Sequence, residues 1–172
     1  MLLSQMLLYK AWADRRTLDA VAHIDPYKQA SSLAFARQQL NHMVRVEELF
    51  RARLAAQADP HGSTNTDDLP SLEELDSRLT ASNRWLQEYA GSIGAAQSSE
   101  QIHFRFVDGK SGTLTREEAI FHLTNHGTYH RGAIGHALDL ASAQRPADTY
   151  TVFIHDKEPE RRIRPPQHHP HL

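Results

Sequence analysis

The chain has 172 residues, of which 40% are apolar, 23% charged and 8% aromatic, with 8 Gly, 8 Pro and no Cys. That composition excludes collagenous, disordered and disulfide-built chains and fits one globular domain of ordinary size. The 19 Lys and Arg against 21 Asp and Glu leave a formal charge of -2, which offers no basic field, so no nucleic-acid partner is expected.

The opening stretch MLLSQMLLYKAWADRR is interrupted by Gln5 and Lys10 and lacks a basic start and a small-residue cleavage site, so it reads as a helix rather than a signal peptide. Nothing in the chain approaches the ~20 apolar residues of a membrane span, so no membrane partner is expected. With no targeting sequence, the expected location is the cytoplasm. Leu3, Leu7, Ala11, Leu18 and Val21 recur at helical steps on one face of this first helix, which ends before Asp25-Pro26. Asp14 lies on that same inward face. A second helical run over 31–57 places Phe35, His42, Val46 and Leu49 on one stripe, and Asp59-Pro60-His61-Gly62 stops it.

A third helix starts after Pro70, where Ser71 and Glu74 have the spacing of a reciprocal capping box; Leu72, Leu75, Leu79, Leu86 and Tyr89 form its apolar face. Residues 91–100 read as a loop. Ile102, Phe104 and Phe106 then alternate with His103, Arg105 and Val107 in a strand pattern, and the turn at 108–112 lets 113–115 pair back as a minimal hairpin. Thr115 and Glu118 form a second capping box, opening a helix that runs to about Ala143, before Pro146. Residues 150–154 form a last apolar scrap, expected to add a turn or strand on the outside. The expected fold is all-α, a four-helix bundle with a minor β-hairpin before the last long helix, occupying residues 1–156. Residues 157–172 read as a mobile, charged and Pro-rich tail.

Twelve histidines are unusual for this length, and His122, His126 and His130 follow one another at intervals of four in FHLTNHGTYHRG. Each such step advances about 40° around a helix, so the three imidazoles share one arc, beside Ala119, Ala133, Ala137 and Leu140, and are expected to point into the bundle. A buried neutral imidazole needs partners for a donor and an acceptor nitrogen, and a divalent cation is the most economical common partner. Two histidines at i and i+4 can chelate one ion, and a third from a facing helix completes a set with open positions. His42 is the natural third, being the remaining histidine on an inward stripe of a long helix. The expected ligands are therefore His42, His126 and His130. His122 and His126 make an equally good pair by spacing, so His122 is placed behind the ligands or in the wall of the site, or is an alternative ligand.

Position 127 is Gly, not the Glu of an HExxH zinc peptidase, and no nucleophile elbow, P-loop or GxGxxG occurs. His168, His169 and His171 fall in the tail and are read as unstructured, and His23, His61, His103, His136 and His155 show no pattern.

Three segments together, YKAWADRR at 9–16, LNHMVRVEELF at 40–50 and HLTNHGTYHRG at 122–132, resemble the DinB family of metal-binding four-helix bundles. The resemblance spans about residues 1–156 and implies a divalent ion, commonly zinc or nickel, on His42, His126 and His130. It also implies a homodimer and a small-molecule substrate, with a low-molecular-weight thiol such as bacillithiol or mycothiol as possible co-substrate of a transferase; a hydrolase is the related alternative. Where the family commonly has Asn this chain has Asp14, which either orients a ligand or lies outside the site. Tyr129 and Asp14 are the candidates for proton transfer, and Arg131 is either a substrate-carboxylate anchor or a structural ion pair. The competing reading is a non-catalytic, stress-linked metal-binding bundle.

Overall fold

Four long helices carry the fold: α1 (Leu2–Ala22), α2 (Ala30–Leu54), α3 (Leu72–Ser92) and, after a short α4 (Ala95–Ser98) and the strands β1 (Gln101–Arg105) and β2 (Ser111–Thr115), α5 (Arg116–Leu140). A computed structural model of the chain describes residues 2–162. The strongest packing runs α2 against α5, α5 against α1, α1 against α3 and α3 against α2, so α1 and α2 stand at opposite corners of a four-helix bundle. The expected all-α bundle with a minor hairpin is what is found.

The capping signals act where the sequence puts them, with one difference. Thr115 Oγ1 accepts from the Glu118 amide and the Glu118 carboxylate accepts from the Thr115 amide, which closes the box at the start of α5. Ser71 Oγ accepts from the Glu74 amide, but the Glu74 carboxylate faces Arg78 at 3.5 Å instead of returning to Ser71, so only half of that box forms. An i,i+4 cation on the same helix face competes for the carboxylate there.

Other expectations are corrected at element ends. Phe35 and Leu140, placed on inward stripes, are 43% and 64% exposed. The buried stripe of α2 passes through Ala36, Leu40, Met43 and Val44 instead, and Leu140 closes its helix beyond the reach of its neighbours. The second helix stops at Leu54 rather than Gln57, and Ala56 takes a positive φ of 53° just past its end. The strand ends at Arg105, leaving Phe106 and Val107 in the turn, where Gly109 supplies a φ of 86°. Ile102 pairs with Leu114 in the antiparallel hairpin and caps one end of the core.

Residues 150–154 form neither a turn nor a strand but the first part of α6 (Tyr150–Lys157), capped by Thr149. Phe153 and Ile154 bury themselves on Tyr9 and Ala13 of α1, and Trp12 Nε1 donates to Asp156 at 3.0 Å. The segment read as tail therefore begins inside this helix, and Pro159–Arg162 adds a 3-10 turn. His168, His169 and His171 lie outside the described residues.

The core is divided. One apolar cluster gathers Leu18, Val21, Leu40, Met43, Leu75, Leu79, Ile134 and Leu138. The other gathers Leu7, Val46, Phe50, Leu86, Ile120 and Leu123 beneath the hairpin. Burial of each such side chain stabilises the fold by about 1.5–3 kcal/mol. Between the clusters every long helix contributes polar groups at one level: Lys10 and Asp14 from α1, Glu47 from α2, Ser82 and Asn83 from α3, Arg131 from α5.

This polar layer is internally paired. Lys10 Nζ lies 2.8 Å from Asp14 and 2.7 Å from Glu47 and donates to Asn83, while Arg131 Nη1 lies 2.8 Å from the other Asp14 oxygen. Two cations balance two carboxylates, with Asp148 closing the rim on Arg131 Nε at 2.8 Å. Burial disfavours charge on Asp14, but Lys10 and Arg131 outweigh it and hold its carboxyl below the usual range. Glu47 goes the other way, pushed up by burial and by Asp14 against the opposing pull of Lys10.

Candidate metal centre

α2 and α5 meet along a seam, and the histidines sit on it at the level of the polar layer. The buried face of α5 runs through Ile120, Leu123, Gly127, Arg131, Ile134 and Leu138. His122, His126 and His130, expected to point into the bundle, lie on the flank of that face and are half-buried. The residue one step on from each histidine takes the inward direction, about 100° away. This displacement leaves the imidazoles facing α2 and within reach of solvent.

His42 on α2 meets them. Its Nε2 lies 3.1 Å from Nε2 of His126, and Nε2 of His130 lies 3.1 Å from the same atom. Among the described residues these three form a group whose ligand atoms all lie within 4.8 Å of one another, and it contains no carboxylate. His122 is outside the group: its ring is 5.4 Å from that of His126 and 5.0 Å from that of Phe50, centroid to centroid.

Two of the rings are fixed from behind. His42 Nδ1 donates to the Thr64 carbonyl at 3.2 Å, and His130 Nδ1 donates to Gln39 Oε1 at 2.6 Å. Thr64 belongs to the α2–α3 connection, which α2 holds down with several side chains. Arg45 donates to the Ser63 carbonyl, Asn41 to Thr66 Oγ1, and Arg37 to the Leu69 and Pro70 carbonyls. His126 Nδ1 is buried with no partner.

The donor set fits a cation. With their Nδ1 protons engaged, His42 and His130 aim bare Nε2 lone pairs at His126, which can supply at most one hydrogen for the two of them. Around a tetrahedral ion with Zn–N of about 2.0–2.1 Å, nitrogens stand roughly 3.3–3.4 Å apart, so the His42–His126 and His126–His130 pairs at 3.1 Å have to open by only a few tenths of an ångström. Burial, then the neighbouring imidazoles and Lys10, pushes His126 down to about 3, and burial with His42 pushes His130 down to about 4. Both are neutral at physiological pH, the form that ligates. Burial also lowers His122.

Of the other residues singled out from sequence, Tyr129 lies beside the triad, 75% exposed, with its ring edge-on to His130 at 5.1 Å. Asp14 does not join it; its hydrogen bonds go to Lys10, Asn83 and Arg131. Arg131 spends its N–H groups on Asp14, Asp148 and Thr128, which makes it a structural ion pair. Of the histidines without a sequence pattern, His61 bonds Glu48. Gln39 and Thr64 escaped the sequence reading, because an amide and a backbone carbonyl carry no periodic signal. The polar layer left a signal that was legible: Lys10 falls on the stripe between Leu7 and Asp14.

A bundle of four helices with three imidazoles converging on one seam defines a class, that of helical bundles with a histidine triad able to hold a metal ion. The DinB family model matches residues 1–162, and the chain belongs to the DinB family. No curated protein and no solved structure matches it. No helix among the described residues is long and apolar enough to cross a membrane.

Proposed function

We propose that His42, His126 and His130 hold one zinc or nickel ion and that the protein is a metal-dependent enzyme acting on a small molecule, a thiol-using transferase or a hydrolase. The observation that supports this most is the donor set: three imidazole nitrogens, no carboxylate, and a position on the flank of the bundle. A closed structural site needs a fourth protein ligand, and among the described residues none joins the group. Three neutral ligands leave the ion's charge uncompensated, so when bound it acts as a Lewis acid and lowers the pKa of a coordinated water or thiol toward neutrality.

The chain's own groups do the rest. The three imidazoles bind, and Gln39 and the Thr64 carbonyl orient two of them. The ring of His122 packs on Phe50 beside His126, and Tyr129 lies edge-on to His130 as the exposed hydroxyl among the candidates for proton transfer. The polar layer holds α5 against α1 through the Arg131–Asp14 pair.

The test is elemental analysis of the untagged full chain carrying His168→Ala, His169→Ala and His171→Ala, followed by incubation with a low-molecular-weight thiol and an electrophile. One zinc or nickel per chain with thiol consumption supports the proposal. One ion without turnover of thiol or of hydrolysable substrates overturns the enzymatic part, and absence of a tightly bound ion overturns both.

A further inference from the structure

Resting on the reading of the triad as a metal site, we propose that Gln39 is a positioning residue: its amide oxygen selects the tautomer of His130 that leaves Nε2 free to ligate. A neutral imidazole carries one hydrogen, and whichever nitrogen holds it cannot bind a metal. Oε1 of Gln39 stands 2.6 Å from Nδ1 of His130 and can only accept, so the hydrogen sits on Nδ1 and the lone pair on Nε2. Turned over, the same amide presents N–H to Nδ1, drives the hydrogen to Nε2 and closes the site with a proton. The bond also crosses the α2–α5 seam, tying a ligand of one helix to the backbone that carries His42.

The Thr64 carbonyl performs the same task for His42 at 3.2 Å. A carbonyl has no alternative donor face, so the two rings are fixed by different means, one through a side chain that can be replaced and one through main chain. The third ring has no such support, since His126 Nδ1 is buried without a partner. Alignment of the triad therefore depends on the other two, and Gln39 is the one of their supports open to substitution.

The full-length metal-free protein labelled with 15N reports the tautomer of each histidine directly, and zinc affinity follows from competition with a chromophoric chelator. The expected result is His130 with its hydrogen on Nδ1 in the wild type. Gln39→Leu is expected to lose that preference and bind zinc about 10–100-fold more weakly. Gln39→Glu, which keeps an acceptor at the same reach, restores both. A wild-type His130 protonated on Nε2 overturns the proposal, as does Gln39→Leu with unchanged zinc affinity. Should Gln39→Leu fail to fold, the wild-type tautomer and Gln39→Glu still decide it. A wild type that binds no zinc defeats the metal reading, while the metal-free tautomer still judges the role of Gln39.

Discussion

Gly127 stands where a Cβ would lie 2.8 Å from Nη1 of Arg131 and 3.8 Å from Cε of Lys10. The residue after His126 is thus pressed against the buried cations, and a side chain at 127, as in an HE motif, fits only if the Arg131 guanidinium shifts. Arg131 cannot easily yield, since its guanidinium is bound to Asp14, Asp148 and Thr128. Gly127→Ala gains about 1 kcal/mol of helix propensity. It loses about 1–3 kcal/mol to overpacking against a pinned group. A net loss of stability is expected in urea denaturation, with weaker zinc binding because His126 is the adjacent residue. A stabilised Gly127→Ala would show that the guanidinium moves freely.

Arg131→Met tests the layer itself. It leaves Asp14 fully buried with Lys10 as its only cation, and breaking a buried pair in this way costs about 3–5 kcal/mol. Arg15→Ala is the control, because its pair with Asp76 is substantially exposed and such pairs contribute about 0–1 kcal/mol. Similar denaturation midpoints for the two variants would contradict the layer's importance.

The acid limb of stability of the metal-free protein follows from the depressed histidines. The unfolded chain takes up protons at the ordinary imidazole pKa of about 6.5, whereas the fold admits them only near 3 at His126 and near 4 at His130. Above pH 6.5 neither state binds these protons and nothing is lost. As pH falls from 6.5 toward 4, the unfolded state gains protons that the folded state refuses, so stability declines through that window. Between pH 6.5 and 5 most carboxylates remain ionised, and the histidines dominate the slope. Urea midpoints of metal-free wild type are expected to fall across that interval, and less steeply in His126→Asn. Equal slopes would remove His126 from the account.

Helix existence was legible because apolar spacing and capping residues are local. Leu72, Leu75, Leu79 and Leu86 mark α3 without reference to any partner, and Thr115 with Glu118 marks the first turn of α5. Tyr150, Val152 and Phe153 did not announce α6, since a stretch of β-branched and aromatic residues is ambiguous and its helical state is settled by Phe153 and Ile154 docking on Tyr9 and Ala13. Helical spacing brought His126 and His130 together and an inward stripe suggested His42. Spacing alone pointed them into the bundle, however, and their place on its flank became visible only through Arg131, whose two carboxylates claim the inward position. What lay behind the rings, Gln39 and the Thr64 carbonyl, depends on how α2 meets α5 and on the path of a long connection, neither of which is periodic.

The most direct measurement of the three-histidine centre is X-ray absorption at the zinc edge of the loaded full-length protein, wild type beside His126→Ala. Three imidazole nitrogens at about 2.0–2.1 Å and a further light atom are expected in the wild type. His126→Ala is expected to retain no stoichiometric zinc. Zinc bound to the variant with the same imidazole count and affinity would place the ion elsewhere and contradict the assignment of His42, His126 and His130.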